Sequence, residues 1–322
     1  MKRKLLLISI GFLMIFSFIL GRDCAWAGYP ERKIRFVVVF SPGGVSDTTT
    51  RALAQYVNPH LDGKVYVENV PGAGGAIGWR EAAKAAPDGY TITFLSTAIT
   101  IGPNTVKGYP TVDLFDPICI INLESRIILT KWDSRFKTVA DVVSYAKKHP
   151  GEITGGTAGV GTINNLGMVA FAEATGIKLN LVPYKGDGPS LVAALGGHVD
   201  LVIASSPGAK PYVESKRLRP LVVLGPERYG IYPDVPTAKE LGYDVSVVAF
   251  SGVGVPKGTP QEIKNILFEA FKKATQDEGY KKMMDKLGLK QIFIGMDEAG
   301  PFINAKRDFY KNLAIKIGLK PQ

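Results

Sequence analysis

The chain has 322 residues, of which 46% are hydrophobic and 21% charged, and 39 basic side chains against 29 acidic ones give it a net charge of +10. The sequence shows no repeats, no low-complexity segments and no second membrane span. The lysines are dispersed, with no basic run interleaved with aromatics, which excludes a nucleic-acid surface.

Met1 to Ala27 reads as a secretory leader. Lys2, Arg3 and Lys4 form its basic start, Leu5 to Leu20 its apolar stretch, and Ala25-Trp26-Ala27 its cleavage site. The stretch is about sixteen residues, short of the roughly 20 that a spanning helix needs. Charged Arg22 and Asp23 stand before Cys24, where a lipid-attachment site requires small apolar residues. Cleavage before Gly28 therefore leaves 295 residues, with 35 basic against 28 acidic side chains. That length suits two domains in a secreted, periplasmic protein. Cys119 remains as a lone cysteine in an apolar strand and reads as a buried core residue.

Ile34 to Phe40 is a near-continuous apolar run, the pattern of a parallel strand covered on both faces. Ser41-Pro42-Gly43-Gly44-Val45-Ser46-Asp47 breaks it, and Ser46 or Asp47 is placed to cap a helix from Thr48 to Val57. A strand, a glycine turn and a helix start place free backbone N–H groups and the positive end of a dipole at one point, which suits an anion. The same Gly-Gly also serves turn geometry alone. No Gly-Lys-Ser/Thr follows, so this is not a phosphate loop.

Further along, strands are expected at Lys64 to Val70 and Tyr90 to Leu95, with a helix at Ile77 to Ala86 between them. The second strand opens into Ser96-Thr97-Ala98. Ile118 to Leu129 is extended and apolar, with Asn122, Glu124 and Ser125 inside it. Thr138 to Lys148 is a helix with Val139, Val142, Val143 and Ala146 on one side. Glu152 to Thr154 is a short strand. It leads into a glycine- and hydroxyl-rich turn, Gly155 to Asn165, and then an apolar helix to Thr175. This echoes the first turn, and the two could face each other across a cleft. Leu179 to Pro183, Val199 to Ala204 and Leu218 to Leu224 are strands, and Thr237 to Leu241 is a short helix. Asp244 to Val255 reads as the return strand. A helix begins at Thr259 with Ile263, Ile266, Leu267, Ala270, Phe271 and Ala274 as its core face. Lys290 to Ile294 is a late strand. Asp297 is placed to cap the last helix, with Phe302, Phe309, Leu313 and Ile317 spaced to pack inward. The alternation argues for an α/β fold with mostly parallel sheets flanked by helices.

Catalytic patterns are missing. His60, His149 and His198 lack metal-ligand spacing, and there is no paired cysteine and no nucleophile elbow. No cofactor, metal or catalytic residue is expected. The chain offers neutral donors instead. Ser41, Ser46, Ser96, Thr97, Thr157, Thr162, Asn164 and Asn165 fall in predicted turns at strand ends, where open α/β sheets bind ligands. Such donors hold a carboxylate reversibly without a buried counter-charge. Asp47, which would repel an anion, reads as cap and scaffold.

The chain also resembles the extracytoplasmic solute receptors of tripartite tricarboxylate transporters, the TctC/Bug family, over its whole mature length. The matching pieces include Pro42-Gly-Gly-Val-Ser-Asp47, Val67-Glu-Asn-Val-Pro-Gly-Ala-Gly-Gly75, Ala86-Pro-Asp-Gly-Tyr-Thr91, Gly156-Thr-Ala-Gly-Val-Gly-Thr162, Val182-Pro-Tyr-Lys-Gly186, Gly196-Gly-His-Val-Asp200 and Tyr232-Pro-Asp-Val-Pro-Thr237. The resemblance implies a two-domain periplasmic-binding-protein fold, type II-like, that closes on a ligand. Residues 28–126 plus 248–322 would form one domain and 127–247 the other. It implies a small organic carboxylate as ligand, held by Gly43, Gly44, Val45, Ser46, Asp47, Ser96, Thr97 and Ala98. The second domain would contribute Thr157, Gly161, Thr162 and Asn165, joined by Tyr184 and Ser205 at neighbouring strand ends. It implies delivery to a permease of one large and one small membrane subunit, with the receptor a monomer. A ligand-sensing partner of a membrane receptor would need the same cleft. Where the family often carries His at the end of the second glycine motif, this chain has Asn165.

Overall fold

The structure is a computed structural model that describes residues 28–43 and 45–321. The expected leader, residues 1–27, lies outside the described residues, and so does Gly44.

The first apolar run forms β1 (Ile34–Val38), and α1 (Val45–Val57) follows the glycine turn. The helix starts three residues earlier than expected, so Ser46 and Asp47 lie in its first turn rather than capping it. Next come β2 (Val65–Asn69), α2 (Ala76–Lys84), β3 (Thr91–Ser96) and the single turn α3 (Ala98–Ile101). The extended stretch is one long strand, β4 (Phe115–Lys131). Beyond it lie α4 (Val139–Lys148), β5 (Thr154–Thr157), α5 (Ile163–Thr175), β6 (Asn180–Pro183), α6 (Asp187–Leu195), β7 (Leu201–Ser205), α7 (Ser206–Glu214) and β8 (Leu218–Leu224). The chain ends with β9 (Val248–Pro256), α8 (Gln261–Gln276), α9 (Glu278–Lys286), β10 (Lys290–Ile294) and α10 (Met296–Lys316).

The strands run in the order β2-β1-β3-β9-β4-β7-β5-β6, with β8 and β10 also paired to β4. The sheet is mixed rather than mostly parallel. Its outer pairs, β1 with β2 and β3, and β5 with β6 and β7, are parallel. Every pair made by β4 or β9 is antiparallel. The reason lies in β4, which belongs to both halves. Phe115 to Ser125 pair with β9, and Arg126 to Lys131 pair with β7 and β8. A strand that enters one half and leaves through the other, answered by a return strand, must run against its neighbours.

Two lobes result, each a half-sheet packed between helices. In the first, Phe36, Leu53, Phe94 and Phe271 pack on one face, and Val37, Trp79, Leu95 and Phe250 on the other. In the second, Leu166, Phe171, Leu201 and Ile203 pack on one face, and Leu191, Val202, Ala204 and Val223 on the other. Helix α10 joins both. Its Ala299 and Ile303 lie in the first lobe's core, and its Tyr310 and Leu313 lie in the second's. Chain passages at β4, before β9 and along α10 therefore link the lobes.

Several expectations change. Gly155, Gly156 and Thr157 belong to β5 rather than to a turn, and Asn164 and Asn165 lie inside α5. Thr237 to Leu241 is a hydrogen-bonded turn that bridges to Val223, not a helix. Asp297 sits in the first turn of α10 without a side-chain capping bond. Ile317, at 37% exposure, does not pack inward.

Candidate ligand cleft

A cleft of about 510 Å³ lies between the lobes. That is the size range of small-ligand sites. Two thirteen-residue helices begin at its walls. Val45 and Ser46 open α1 on the first lobe, and Ile163 opens α5 on the second, preceded by Gly161 and Thr162. The first N–H groups of any helix lack partners within it, and its dipole adds partial positive charge there. Both walls thus favour an anion. Thr162 is the N-cap of α5, its Oγ1 accepting from the Asn165 N–H at 3.2 Å.

The turn before α1 is braced from below by Asp47, which is 4% exposed. Its carboxylate accepts from the Gly43 N–H at 2.9 Å and from Asn69 Nδ2 at 2.9 Å, and it pairs with Arg51 at 2.9 Å. Burial pushes the Asp47 carboxyl up. The bonds from Gly43, Arg51 and Asn69 outweigh that and hold it below the usual carboxylate range. Asp47 therefore shapes the turn and does not line the cleft.

At the end of β3, Ser96, Thr97 and Ala98 line the cleft. Thr97 Oγ1 accepts from the Phe250 N–H at 2.8 Å, which ties the turn to β9. Ser96 Oγ is buried and finds no partner among the described residues. The floor is β4. Glu124 and Arg126 are two residues apart, so their side chains leave the same face of the strand. Arg126 Nη1 donates to Glu124 Oε1 at 2.6 Å, with the side chains 9% and 14% exposed respectively. Arg126 Nε is buried without a partner among the described residues. An unmet buried donor costs roughly 1–3 kcal/mol, so this pair is poorly explained as a stabilising device.

Of the residues expected from sequence, Val45, Ser46, Ser96, Thr97, Ala98, Gly161 and Thr162 line the cleft. Gly43 does not, since it is spent on the bond to Asp47. Thr157, Asn165, Tyr184 and Ser205 do not line it either. Thr157 is fully buried at the end of β5. Asn165 Oδ1 accepts from the Gly161 N–H at 3.2 Å and so holds the turn. Tyr184 packs against the second lobe's core, and Ser205 caps α7 by accepting from Gly208. Gly44 lies outside the described residues.

The sequence reading missed the apolar walls, Phe40, Ile101, Tyr109, Val160 and Phe250, and the charged floor at Arg126. The apolar residues look like core from sequence. Arg126 was within reach, because Glu124 stood out in the same apolar strand and period 2 places its neighbour beside it. Among the described residues, no group of His, Cys, Asp and Glu could hold a metal ion. No helix among them is long and apolar enough to cross a membrane.

Comparison with known proteins places these features in a wider set. Residues 49–319 match the family model described as "Tripartite tricarboxylate transporter family receptor". A Cupriavidus necator protein named "UPF0065 protein in gbd 5'region" is 35% identical over 297 residues, covering 90% of this chain and 89% of that protein. A ligand-free TctC solute-binding protein from Polaromonas superposes with a TM-score of 0.82 at 31% identity, over 90% of this chain and 100% of that one. An R. palustris protein solved with adipate gives 0.75 at 27% identity, over 92% and 100%. MatC from Rhodopseudomonas palustris with bound malate gives 0.69 at 25%, over 89% and 100%.

Proposed function

We propose that this chain, which belongs to the tripartite tricarboxylate transporter receptor family, captures a small organic carboxylate between its lobes and hands it to a membrane permease. The observation that carries the reading is the cleft itself. Two helix starts, at Val45 and Ile163, line one cavity with Ser96 and Thr97. That arrangement concentrates donors on a charged oxygen and offers no reacting group. The adipate and malate held by two structural neighbours support a carboxylate ligand.

The mechanism follows from the two lobes. A ligand that touches both walls binds the shut form better than the open one, so it shifts the population toward closure. The bend falls where β4 changes partners, at Ser125 and Arg126, and where the chain returns at Val247 and Val248. Here the Arg126 N–H donates to the Val247 carbonyl at 3.0 Å. Residues 28–126 plus 248–322 move as one body and 127–247 as the other, with α10 flexing between them. The protein acts as a monomer in the periplasm after its leader is removed. The closed form is what one large and one small permease subunit recognise. A thermal-shift panel of mono-, di- and tricarboxylates on the mature chain tests the reading. A rise in melting temperature with at least one class is expected, and no shift with any of them would overturn it.

A further inference from the structure

Glu124 and Arg126 are the only charged side chains lining the cleft among the described residues. They are paired with each other at 2.6 Å, so the floor presents no net charge to a ligand. Around them the lining is uncharged, with apolar walls at Phe40, Ile101, Tyr109, Val160 and Phe250 and neutral donors such as Ser96 and Thr97. The Tyr109 hydroxyl is also committed, since it donates to the Gly74 carbonyl at 2.6 Å. Among the described residues, no side chain lining the cleft is an unpaired cation that could serve a second carboxylate.

We infer that Glu124 is a specificity residue, and that the cleft selects a monocarboxylate with an apolar body over dicarboxylates and tricarboxylates. The inference rests on the carboxylate reading above. Glu124 is fixed on the floor by its own strand and by Arg126. It neutralises the guanidinium that would otherwise draw a second carboxylate, and it repels any carboxylate that approaches the floor. A single carboxylate is left to the helix starts and the neutral donors at the walls. The apolar remainder of the ligand then covers Phe40, Ile101 and Phe250, where a charged group would lose its water without compensation. Arg126 orients Glu124 through their hydrogen bond, and its Nε has no partner among the described residues.

The test uses matched pairs that differ by one carboxylate: hexanoate against adipate, butyrate against succinate, and benzoate against terephthalate. Dissociation constants are measured by calorimetry on the mature chain. The best monocarboxylate should bind tighter than its dicarboxylate partner by about tenfold or more, since juxtaposed like charges are strongly disfavoured. Glu124→Gln should shift that ratio by about tenfold or more toward the dicarboxylate, because it frees the guanidinium. A Glu124→Gln/Arg126→Gln double variant, which leaves no unpaired charge, should keep the monocarboxylate and gain no dicarboxylate. A wild-type preference for any dicarboxylate would overturn the inference while leaving the carboxylate reading intact. So would a ratio that Glu124→Gln leaves unmoved. Failure of every acid to bind would overturn both.

Discussion

Gly161 and Thr105 meet in the lining of the cleft, one from each lobe. A Cβ placed on Gly161 would lie 2.5 Å from Thr105 Cγ2 and 3.2 Å from Leu319 Cδ2. Gly161 also has φ +71°, a conformation that suits glycine and strains other residues. Gly161→Ala should therefore act twice. The left-handed backbone costs about 1–2 kcal/mol, read by chemical denaturation. The new methyl group also wedges the lobes apart, which weakens ligand binding. Adding Thr105→Ser, which removes the facing methyl group, should restore affinity and leave the stability loss in place.

Asp47 ties the first turn together through three partners, so its loss should be felt in the fold before it is felt in the ligand. Asp47→Ala should cost about 1.5–3 kcal/mol, the range for a hydrogen-bonded charge. The dependence on pH has a definite sign. The folded carboxyl is held below its usual value of 3.8, so its contribution is present above that value. It is lost as pH falls through the lower, folded value. Asp47→Asn should flatten this part of the acid limb in denaturation curves taken at falling pH.

The Tyr310 hydroxyl, buried in α10, donates to the Val248 carbonyl at 3.1 Å, at the start of the return strand. This bond anchors the third passage between the lobes to the second. Tyr310→Phe should lower stability by about 1 kcal/mol, the net worth of one such bond. It should also speed amide exchange in the 245–250 segment more than in β1 or β8.

Cys119 is fully buried in β4, and burial pushes its thiol far above the usual range. The thiolate is the reactive form. Peptide mapping after brief iodoacetamide treatment should find Cys119 unmodified in folded protein and fully modified in denaturant.

Much of the fold was legible because its signals are local. The stripe Val139, Val142, Val143 and Ala146 is buried in α4 as its spacing requires, and β8 and β10 begin and end where their apolar patterns do. Helix α7 was missed. Pro207, Gly208 and Pro211 hide it, and it forms because Ser205 caps it and Pro207 suits its first turn. The segment Gly155-Gly156-Thr157 resembles a turn in sequence. It is a strand, paired in parallel with β6 and β7, and glycine suits it because neighbours crowd it: a Cβ on Gly155 would sit 3.1 Å from Leu181, and one on Gly156 3.2 Å from Val199. The cleft was half legible. Donors at the starts of α1 and α5 announce themselves by residue type. The apolar walls do not, because only the meeting of two lobes separates them from core. Thr157, Asn165, Tyr184 and Ser205 have the chemistry of ligand contacts, but they are not among the residues that line the cleft.

Closure around a carboxylate is the centre of this account, and small-angle X-ray scattering tests it most directly. The mature chain would be measured alone and then saturated with an acid that raises its melting temperature. The radius of gyration should fall on saturation, and Gly161→Ala, with its lobes wedged, should fall less. An unchanged radius in the saturated wild-type protein would contradict capture by closure.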